Sequence, residues 1–387
     1  MESIFMIDCA RKYYTPQWIK KLIKEIADVG FNAISLHFSE DIGMRLESKL
    51  YPYLAGGDHT LCIFGKAKGI KEDDDKFITQ DEMASIVKYA QSLGLKVIPS
   101  LDSPGHMNYV VKKFNAFNNC DIGNYFHKNG KVSIVHGSSM LGEKEQLDYS
   151  RGIDITNPQA IEFAKNLYAE YGKFFLDLGC DTFDIGGDEL LGFGETIDDS
   201  YSKWNNLDHW QQHAVMLTGN PNAVAYDAFI LYMNDICALL KSIGYKSIRM
   251  WNDDVYRDFD TNWTGVTMLD KSIEIQYWSN LANDSKNSVL VYLDKGHNVY
   301  NFLNTFTYYT LGYGSKSKIT PEIIIDEWDA YLFDRNVKQN NPKYGDSRVK
   351  GGGFCLWSDC PSYQTEDEIL ESIRPQFTAI AQKLNAK

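Results

Sequence analysis

Two adjacent carboxylates, Asp188 and Glu189, follow a short apolar segment and two glycines in the stretch Asp181-Thr-Phe-Asp-Ile-Gly-Gly-Asp-Glu-Leu190. Glycines at this point leave room for a ligand to approach the backbone closely. Because side chains alternate along an extended segment, the pair cannot flank one glycosidic bond as the two carboxyls of an ordinary glycosidase do. It suits a division of labour in which Glu189 protonates the leaving oxygen and Asp188 holds another polar group. The pattern therefore indicates hydrolysis assisted by the substrate's own 2-acetamido group.

The structural alternative for this pair is a helix N terminus, where carboxylates cap free amides and complement the helix dipole. Polar and aromatic residues at the ends of other apolar segments favour the chemical interpretation. Arg11 follows one such segment, and a guanidinium can form paired hydrogen bonds with vicinal hydroxyls or with a carboxylate. Trp251, Trp278 and Trp357 end three others, and aromatic rings stack on the apolar faces of sugars. The remaining candidates at such ends are His37, Glu40, Asp41, His106, Asp253, Tyr308, Tyr309 and Asp359.

Short apolar segments alternate with amphipathic stretches along the whole chain, which favours parallel β/α units. The predicted strands are Ile4–Asp8, Ala33–His37, Lys96–Ser100, Thr182–Ile185, Ser247–Trp251, Glu274–Trp278, Asn298–Asn301 and Gly353–Trp357. The predicted helices are Pro16–Val29, Asp81–Leu93, Pro158–Leu178, Ala223–Ile243 and Glu366–Leu384. Eight such strands predict one (β/α)8 TIM barrel over residues 1–387, with no separate N-terminal α/β domain. Long loops are predicted at Leu54–Lys76, Lys113–Arg151, Phe193–Asn222 and Asp334–Lys350.

Composition narrows the partners and the compartment. The 387 residues carry a net charge of −13, which makes nucleic acid and acidic membranes poor partners. No stretch approaches the ~20 apolar residues of a membrane span, and no export signal is apparent. We expect a cytoplasmic protein, or an exported one whose signal peptide has been removed. The oligomeric state is left open.

The seven cysteines are scattered and lack the spacing of a zinc site. They are predicted to be reduced and mostly buried, with Cys355 and Cys360 as the one pair that could form a bridge. Neither a metal nor an organic cofactor is expected.

Six motifs, in order along the chain, resemble those of the glycoside hydrolases of family 20, the β-N-acetylhexosaminidases, and above all the compact single-barrel members. The motifs are Leu36-His-Phe-Ser-Glu-Asp41, Leu46-Glu-Ser-Lys-Leu-Tyr-Pro52, Asp102-Ser-Pro-Gly-His-Met107, Ile185-Gly-Gly-Asp-Glu189, Met250-Trp-Asn-Asp253 and Tyr277-Trp-Ser279. Each motif alone is weak, but their common order from Asp8 to Asp359 is specific. The resemblance implies a retaining exo-β-N-acetylhexosaminidase that forms an oxazolinium intermediate, acts on terminal β-linked GlcNAc and possesses no metal.

The resemblance also implies roles for the acetamido-binding residues. It makes Glu189 the general acid/base and Asp188 the acceptor from the acetamido N–H. Tyr308 matches the tyrosine that donates to the acetamido oxygen, and Tyr309 is the alternative if the loop shifts by one residue. Such an acid requires a raised pKa, which burial and a neighbouring anion favour.

The same resemblance assigns the rest of the pocket. Trp251, Trp278 and Trp357 match its aromatic walls, with Asp253 as a further substrate contact, and Arg11 matches the ligand of the non-reducing-end hydroxyls. His106 is implied to link Glu189 to an acid at the end of the second strand, Glu40 or Asp41. His37, inside an apolar strand, is interpreted as a packed histidine that supports the site.

Two residues depart from the pattern of the compact relatives. Glu40 stands where they have aspartate, and Asp359 stands where they have a glutamate that contacts the sugar hydroxyls. A carboxylate on a side chain shorter by one methylene is withdrawn by ~1.5 Å. The choice among GlcNAc, GalNAc and substituted sugars is therefore open.

The sequence leaves three other functions to compare. A lacto-N-biosidase-like release of a disaccharide, or specificity for a substituted GlcNAc, is the main alternative, motivated by Asp359 and the predicted loop Phe193–Asn222. A non-catalytic sugar-binding barrel is disfavoured by the intact Asp188 and Glu189. A chitinase-like site would need a D-x-D-x-E run on the fourth strand, which Asp184-Ile-Gly-Gly-Asp-Glu189 does not supply.

Overall fold

The computed structural model describes residues 1–58, 73–124, 127–128, 131–132, 152–190, 208–253, 255–256, 265–279, 288–312 and 319–386. Eight parallel strands form a closed sheet, because the first pairs with both the second and the last. The barrel strands are β1 Glu2–Asp8, β2 Ala33–His37, β3 Lys96–Ser100, β4 Thr182–Asp184, β5 Ser247–Trp251, β6 Ile273–Tyr277, β7 Val299–Asn301 and β8 Val349–Trp357. The predicted (β/α)8 barrel is confirmed. That residues 1–387 form one domain stays a prediction.

Helices connect the strands and cover the outside of the barrel. They are α1 Pro16–Asp28, α2 Gln80–Ser92, α3 Asn108–Asn118, α4 Pro158–Asp177, α5 Asp208–Thr218, α6 Ala225–Ile243, α7 Val289–Asp294, α8 Asn304–Thr307, α9 Pro321–Glu327 and α10 Glu366–Asn385. The local sequence explains their starts: the Thr15 side chain accepts from the Trp18 amide ahead of α1, and Thr79 and Glu82 form a capping box at α2. Helix α1 buries one face, formed by Trp18, Ile19, Leu22, Ile23 and Ile26.

Short elements complete the description. Two-residue strands and one three-residue strand lie at Ser39–Glu40, Gly43–Met44, Gly56–Gly57, Gly123–Asn124, His127–Lys128, Lys131–Val132, Gly152–Ile153 and Tyr308–Thr310, and 3-10 helices lie at Pro52–Leu54 and Lys338–Asn340. The strand Tyr308–Thr310 pairs in parallel with the end of β8, with Tyr308 opposite Cys355. It therefore adds a ninth strand beside the barrel on the side of the candidate site.

The predicted start of β8 at Gly353 is wrong, because the strand begins at Val349. Glycine is a poor strand former in general, so the sequence gives little sign that the strand includes Gly351 and Gly352. A Cβ atom on Gly351 would come within 1.9 Å of the Glu2 carbonyl oxygen, and one on Gly353 within 2.2 Å of the Ile4 carbonyl oxygen. The glycines thus allow β8 to approach β1 closely where the barrel closes.

Two of the predicted long loops contain helices. Helix α3 occupies the start of Lys113–Arg151, and α5 occupies part of Phe193–Asn222. The apolar residues of α3 recur at helical spacing, with Val110, Val111 and Phe114 buried, a signal that the loop prediction overlooked. Most of the remainder of these two loops lies outside the described residues.

The interior of the barrel is layered. At the amino-terminal end of the strands, buried Arg249 donates to Glu2, Glu274 and the Tyr300 hydroxyl. Above it lies an apolar cluster of Ile4, Met6, Ala33, Ile98, Trp251, Tyr300, Phe302, Cys355 and Trp357. Polar side chains collect at the carboxyl ends of the strands, where loops of a barrel form binding sites.

Two further expectations from the sequence concern the state of the cysteines and the hydropathy of the helices. The six cysteines in the described ranges are thiols, so no disulfide joins Cys355 to Cys360. Cys62 lies outside those ranges. Within the described part of the chain, no helix combines the length and apolar character needed to cross a bilayer.

Candidate active site

The Asp188–Glu189 pair lies just beyond β4 in a backbone that turns sharply. Gly186 and Gly187 have φ angles of 67° and 87°, and Glu189 itself has a φ of 44°. A Cβ atom on Gly186 would come within 1.9 Å of Asp102 Oδ1, while the Gly187 amide donates to that same oxygen at 3.0 Å. Both glycines are therefore required, for their backbone conformation and for the close approach of Asp102.

His106 connects Glu189 to the carboxylates that follow β2. Its Nε2 lies 3.4 Å from Glu189 Oε2, and its Nδ1 lies 2.9 Å from Glu40 Oε2 and 3.4 Å from Asp41 Oδ2. Burial opposes the charged imidazole, but Glu40 and Asp188 raise the pKa of His106 well above its ordinary value. His106 therefore lies between Glu189 and the carboxylates after β2, in surroundings that favour its charged form.

Asp102 and Asp188 are neighbouring buried carboxyls, and Asp102 was not a candidate from the sequence. Burial and the neighbouring Asp188 raise the pKa of Asp102 well above its usual range. The raised pKa favours a proton on Asp102, beside Asp188. The available signal was its place at the end of β3, as the first residue of the motif that ends in His106.

Three tryptophans and one tyrosine form a continuous aromatic wall. Trp278 stacks parallel to Tyr308 with ring centroids 6.0 Å apart, and Tyr308 lies 5.7 Å from Trp357. Trp357 in turn lies 6.0 Å from Trp251. Asp253 accepts a hydrogen bond from the Trp278 indole N–H, so it orients this ring.

The structure distinguishes Tyr308 from Tyr309. Tyr309 points away from the aromatic wall, where its hydroxyl donates to Gln364 Oε1 at 2.9 Å and its ring packs in the core outside the barrel. It is not positioned as a substrate contact. Burial, followed by the nearby Cys355 and Asp188, raises the pKa of Tyr308 well above its ordinary value, so Tyr308 is a neutral phenol.

Arg11 lies at the other end of the site, between two carboxylates. Its Nη1 contacts Asp8 Oδ2 and its Nη2 contacts Glu40 Oε1, each at 2.8 Å. The guanidinium carbon lies 5.6 Å from the centre of the Trp357 ring. Asp8 was not a candidate from the sequence; it also accepts the Ser358 amide and so joins the ends of β1 and β8.

His37 packs beneath this end. Its Nδ1 lies 2.9 Å from Ser100 Oγ, its Nε2 lies 3.4 Å from Glu40 Oε1, and its ring meets Trp357 edge to face. Ser100 donates to Asp184, so a buried row of polar contacts runs from β4 through Ser100 and His37 to the Glu40 carboxylate.

Asp359 faces Arg11 from the loop after β8. Burial, together with Asp8, Glu40 and Glu189 and despite Arg11, raises the pKa of its carboxyl to about 6. The folded protein therefore prefers Asp359 protonated in weak acid, and the folded state loses stability as the pH rises through this value.

Asp359→Asn is expected to stabilise the fold in a pH-dependent manner, because asparagine removes the cost of this buried charge. The gain in the free energy of unfolding should be nearly absent near pH 4 and reach about 3 kcal/mol above about pH 7. Urea titrations of both proteins across this range measure the difference. A difference that is constant with pH would contradict the prediction.

Several of the buried groups lie close enough to surround a cation. In each of three sets, His37 with Glu40 and Asp102, Glu40 with Asp41 and His106, and Asp102 with His106 and Asp188, the possible ligand atoms lie within 4.8 Å of one another. These side chains already contact one another, and Glu40 also contacts Arg11, so the short distances between them do not by themselves indicate a bound cation. The expectation of a metal-free site stays a prediction.

Comparison with known proteins agrees with this geometry. Residues 4–384 match the family described as Glycosyl hydrolase family 20, catalytic domain. Lacto-N-biosidase from Bifidobacterium bifidum is 25% identical over 377 residues, which cover 94% of this chain and 26% of that protein. Beta-hexosaminidase subunit A2 from Dictyostelium discoideum is 26% identical over 277 residues, covering 71% of this chain and 40% of that protein. The crystal structure of dispersin B aligns with a TM-score of 0.69 at 25% identity, covering 100% of both chains.

The chain spans well under half of the length of these two curated relatives. The family match, in contrast, extends over nearly the whole chain, and the motifs that suggested it lie together at one end of the barrel. The predicted resemblance is therefore confirmed: the protein belongs to glycosyl hydrolase family 20.

Proposed function

We propose that the protein is a retaining exo-β-N-acetylhexosaminidase that removes terminal β-linked GlcNAc by substrate-assisted catalysis. One observation carries the proposal: Tyr308, a neutral donor, lies in the aromatic wall within electrostatic reach of the acceptor Asp188. An acetamido group needs one acceptor for its N–H, one donor for its carbonyl oxygen and an apolar surface for its methyl. The name of the Dictyostelium relative, a beta-hexosaminidase subunit, supports the same class of substrate.

The proposed first step forms one bond and breaks another at the anomeric carbon. The acetamido oxygen attacks this carbon while Glu189 gives its proton to the departing glycosidic oxygen. The intermediate is an oxazolinium ion whose positive charge lies partly on nitrogen, where Asp188 accepts the N–H. Because the nucleophile belongs to the substrate, the reaction gains from proximity, and the tryptophans keep solvent away from the reacting carbon.

In the second step, Glu189 acts as the base. It removes a proton from water, which attacks the anomeric carbon as the C–O bond of the oxazolinium breaks and the acetamido group is restored. Two inversions give net retention of the β configuration. His106, charged and held by Glu40, is suited to stabilise Glu189 in its anionic state.

The end of the pocket at Arg11 supports an exo mode of action. Arg11 is about 13% exposed and is held between Asp8 and Glu40, which are buried. A guanidinium in this position closes the site and can donate to hydroxyls of a terminal sugar. A single terminal sugar fits such a closed end better than a continuing chain.

Release of a disaccharide is the second candidate. The lacto-N-biosidase of Bifidobacterium bifidum aligns over 94% of this chain, and Asp359 carries its carboxyl on a side chain one methylene shorter than glutamate. Product analysis on a tetrasaccharide with a terminal lacto-N-biose unit distinguishes the two modes. Release of the intact disaccharide, without free monosaccharide from β-GlcNAc chains, would favour this candidate.

The proposed function is tested with matched 4-nitrophenyl glycosides. We expect hydrolysis of the β-GlcNAc compound, with the β-GalNAc compound showing whether the pocket admits the other epimer. The β-glucoside, which has a hydroxyl in place of the acetamido group, should be inert. Rapid hydrolysis of the β-glucoside would refute the mechanism, because that substrate lacks an internal nucleophile.

A further inference from the structure

Glu40 presents its two carboxylate oxygens to different partners. Oε1 lies 2.8 Å from Arg11 Nη2 and 3.4 Å from His37 Nε2. Oε2 lies 2.9 Å from His106 Nδ1 and also accepts the Asp41 amide at 2.9 Å. The side chain is buried, and its ionic partners, despite the cost of burial, hold its pKa well below the usual range.

Two of these partners lead to opposite ends of the pocket. Arg11 is partly exposed beside Trp357, where a terminal sugar would present its hydroxyls. His106 reaches Glu189, with its Nε2 at 3.4 Å from the Glu189 carboxylate. A single buried carboxylate therefore separates the hydroxyl-binding arginine from the group that exchanges the proton.

We propose that Glu40 couples sugar-hydroxyl binding at Arg11 to proton transfer at Glu189, so that Arg11 acts as a positioning residue for the acid as well as a substrate ligand. The proposal rests on the proposed function and extends it. Arg11 neutralises and orients Glu40, and Glu40 in turn orients the charged His106. Contacts between charged groups are strong in a buried site. A change in the contact of Arg11 therefore alters the electrostatic environment of His106 and Glu189.

The length of the Glu40 side chain is part of this arrangement. Aspartate at this position would withdraw the carboxylate by about 1.5 Å, the length of one C–C bond. From the same backbone position it could not reach both Arg11 and His106. Glu40→Asp therefore keeps the negative charge but breaks the link, which makes it the conservative variant for a test.

The experiment compares two aryl β-GlcNAc substrates of similar size, with phenyl and 2,4-dinitrophenyl leaving groups. Phenolate is a poor leaving group and needs the proton from Glu189, whereas dinitrophenolate leaves without one. For Arg11→Lys and for Glu40→Asp, we expect kcat/KM to fall by at least about tenfold more with the phenyl compound than with the dinitrophenyl compound, a part of the 10²–10⁴-fold contribution of general acid catalysis.

A control variant separates coupling from simple loss of binding. Asp253→Asn weakens the contact to Trp278 and leaves the chain from Arg11 to Glu189 intact. It should lower kcat/KM by the same factor for both substrates. Thermal unfolding of every variant verifies that the comparison concerns folded protein, and if Arg11→Lys fails to fold, Glu40→Asp decides alone.

The results separate the coupling from the function itself. If the wild-type protein hydrolyses neither glycoside, the proposed function fails. If the wild-type protein hydrolyses both, but Arg11→Lys and Glu40→Asp reduce both rates by equal factors, the function stands and the coupling is wrong. A selective loss with the phenyl compound supports the coupling.

Discussion

Glu189→Gln is expected to lower kcat/KM for phenyl β-GlcNAc by about 10³-fold, within the usual contribution of a general acid. Glutamine fills the same space as glutamate but has no proton to give to the departing oxygen. The loss should nearly vanish for the 2,4-dinitrophenyl substrate, because kcat/KM reports only the first bond-breaking step and that leaving group needs no acid. Steady-state kinetics with the two substrates measure the effect.

The second role of Glu189 provides an internal control for this variant. With the dinitrophenyl substrate, the oxazolinium should accumulate because no base activates water. Azide needs no base, so added azide should raise kcat and yield the β-glycosyl azide. If Glu189→Gln slows both substrates equally and azide has no effect, Glu189 is not the acid/base.

Asp188→Asn is expected to lower kcat/KM by about 10²–10³-fold, the range observed when one group that stabilises transition-state charge is removed. In contrast to the loss at Glu189, this loss should be similar for the phenyl and the dinitrophenyl substrates. The reason is that Asp188 stabilises positive charge on the acetamido nitrogen, whichever group departs. The same kinetic measurements therefore assign different roles to the two neighbouring carboxyls.

A matched comparison addresses the neighbour of Asp188. Burial and the neighbouring Asp188 favour the protonated form of Asp102, and asparagine also offers a donor, so Asp102→Asn should cost far less activity than Asp188→Asn. Equal losses at the two positions would show that the pair acts through a shared charge. A loss at Asp188 confined to the phenyl substrate would contradict its role at the acetamido group.

The elements of the barrel were largely predictable because parallel strands in α/β folds are short, apolar runs that differ clearly from amphipathic helices. The start of β8 was missed because its glycines satisfy a close contact with β1, which is a tertiary requirement. Helix α3 was missed because its apolar face is short and follows a motif that ends in a loop. For β8, packing rather than local preference decides the structure.

The candidate residues were found because the carboxyl ends of all eight strands meet at one end of the barrel. The sequence could not choose between Tyr308 and Tyr309, since a shift of one residue exchanges the two faces of a strand. The pairing of Tyr308 with Cys355 of β8 fixes that choice. Asp8 and Asp102 were overlooked because their partners, Ser358 and Gly187, are far away along the chain.

The left-handed backbone of both Glu189 and His106 has a consequence for laboratory evolution. Their φ angles of 44° and 51° are unfavourable for most residues with a side chain and cost roughly 1–3 kcal/mol each. Asparagine or glycine would relieve that cost at either position. A selection for heat resistance alone would therefore enrich robust but inert proteins, and both codons should be held constant in any such library.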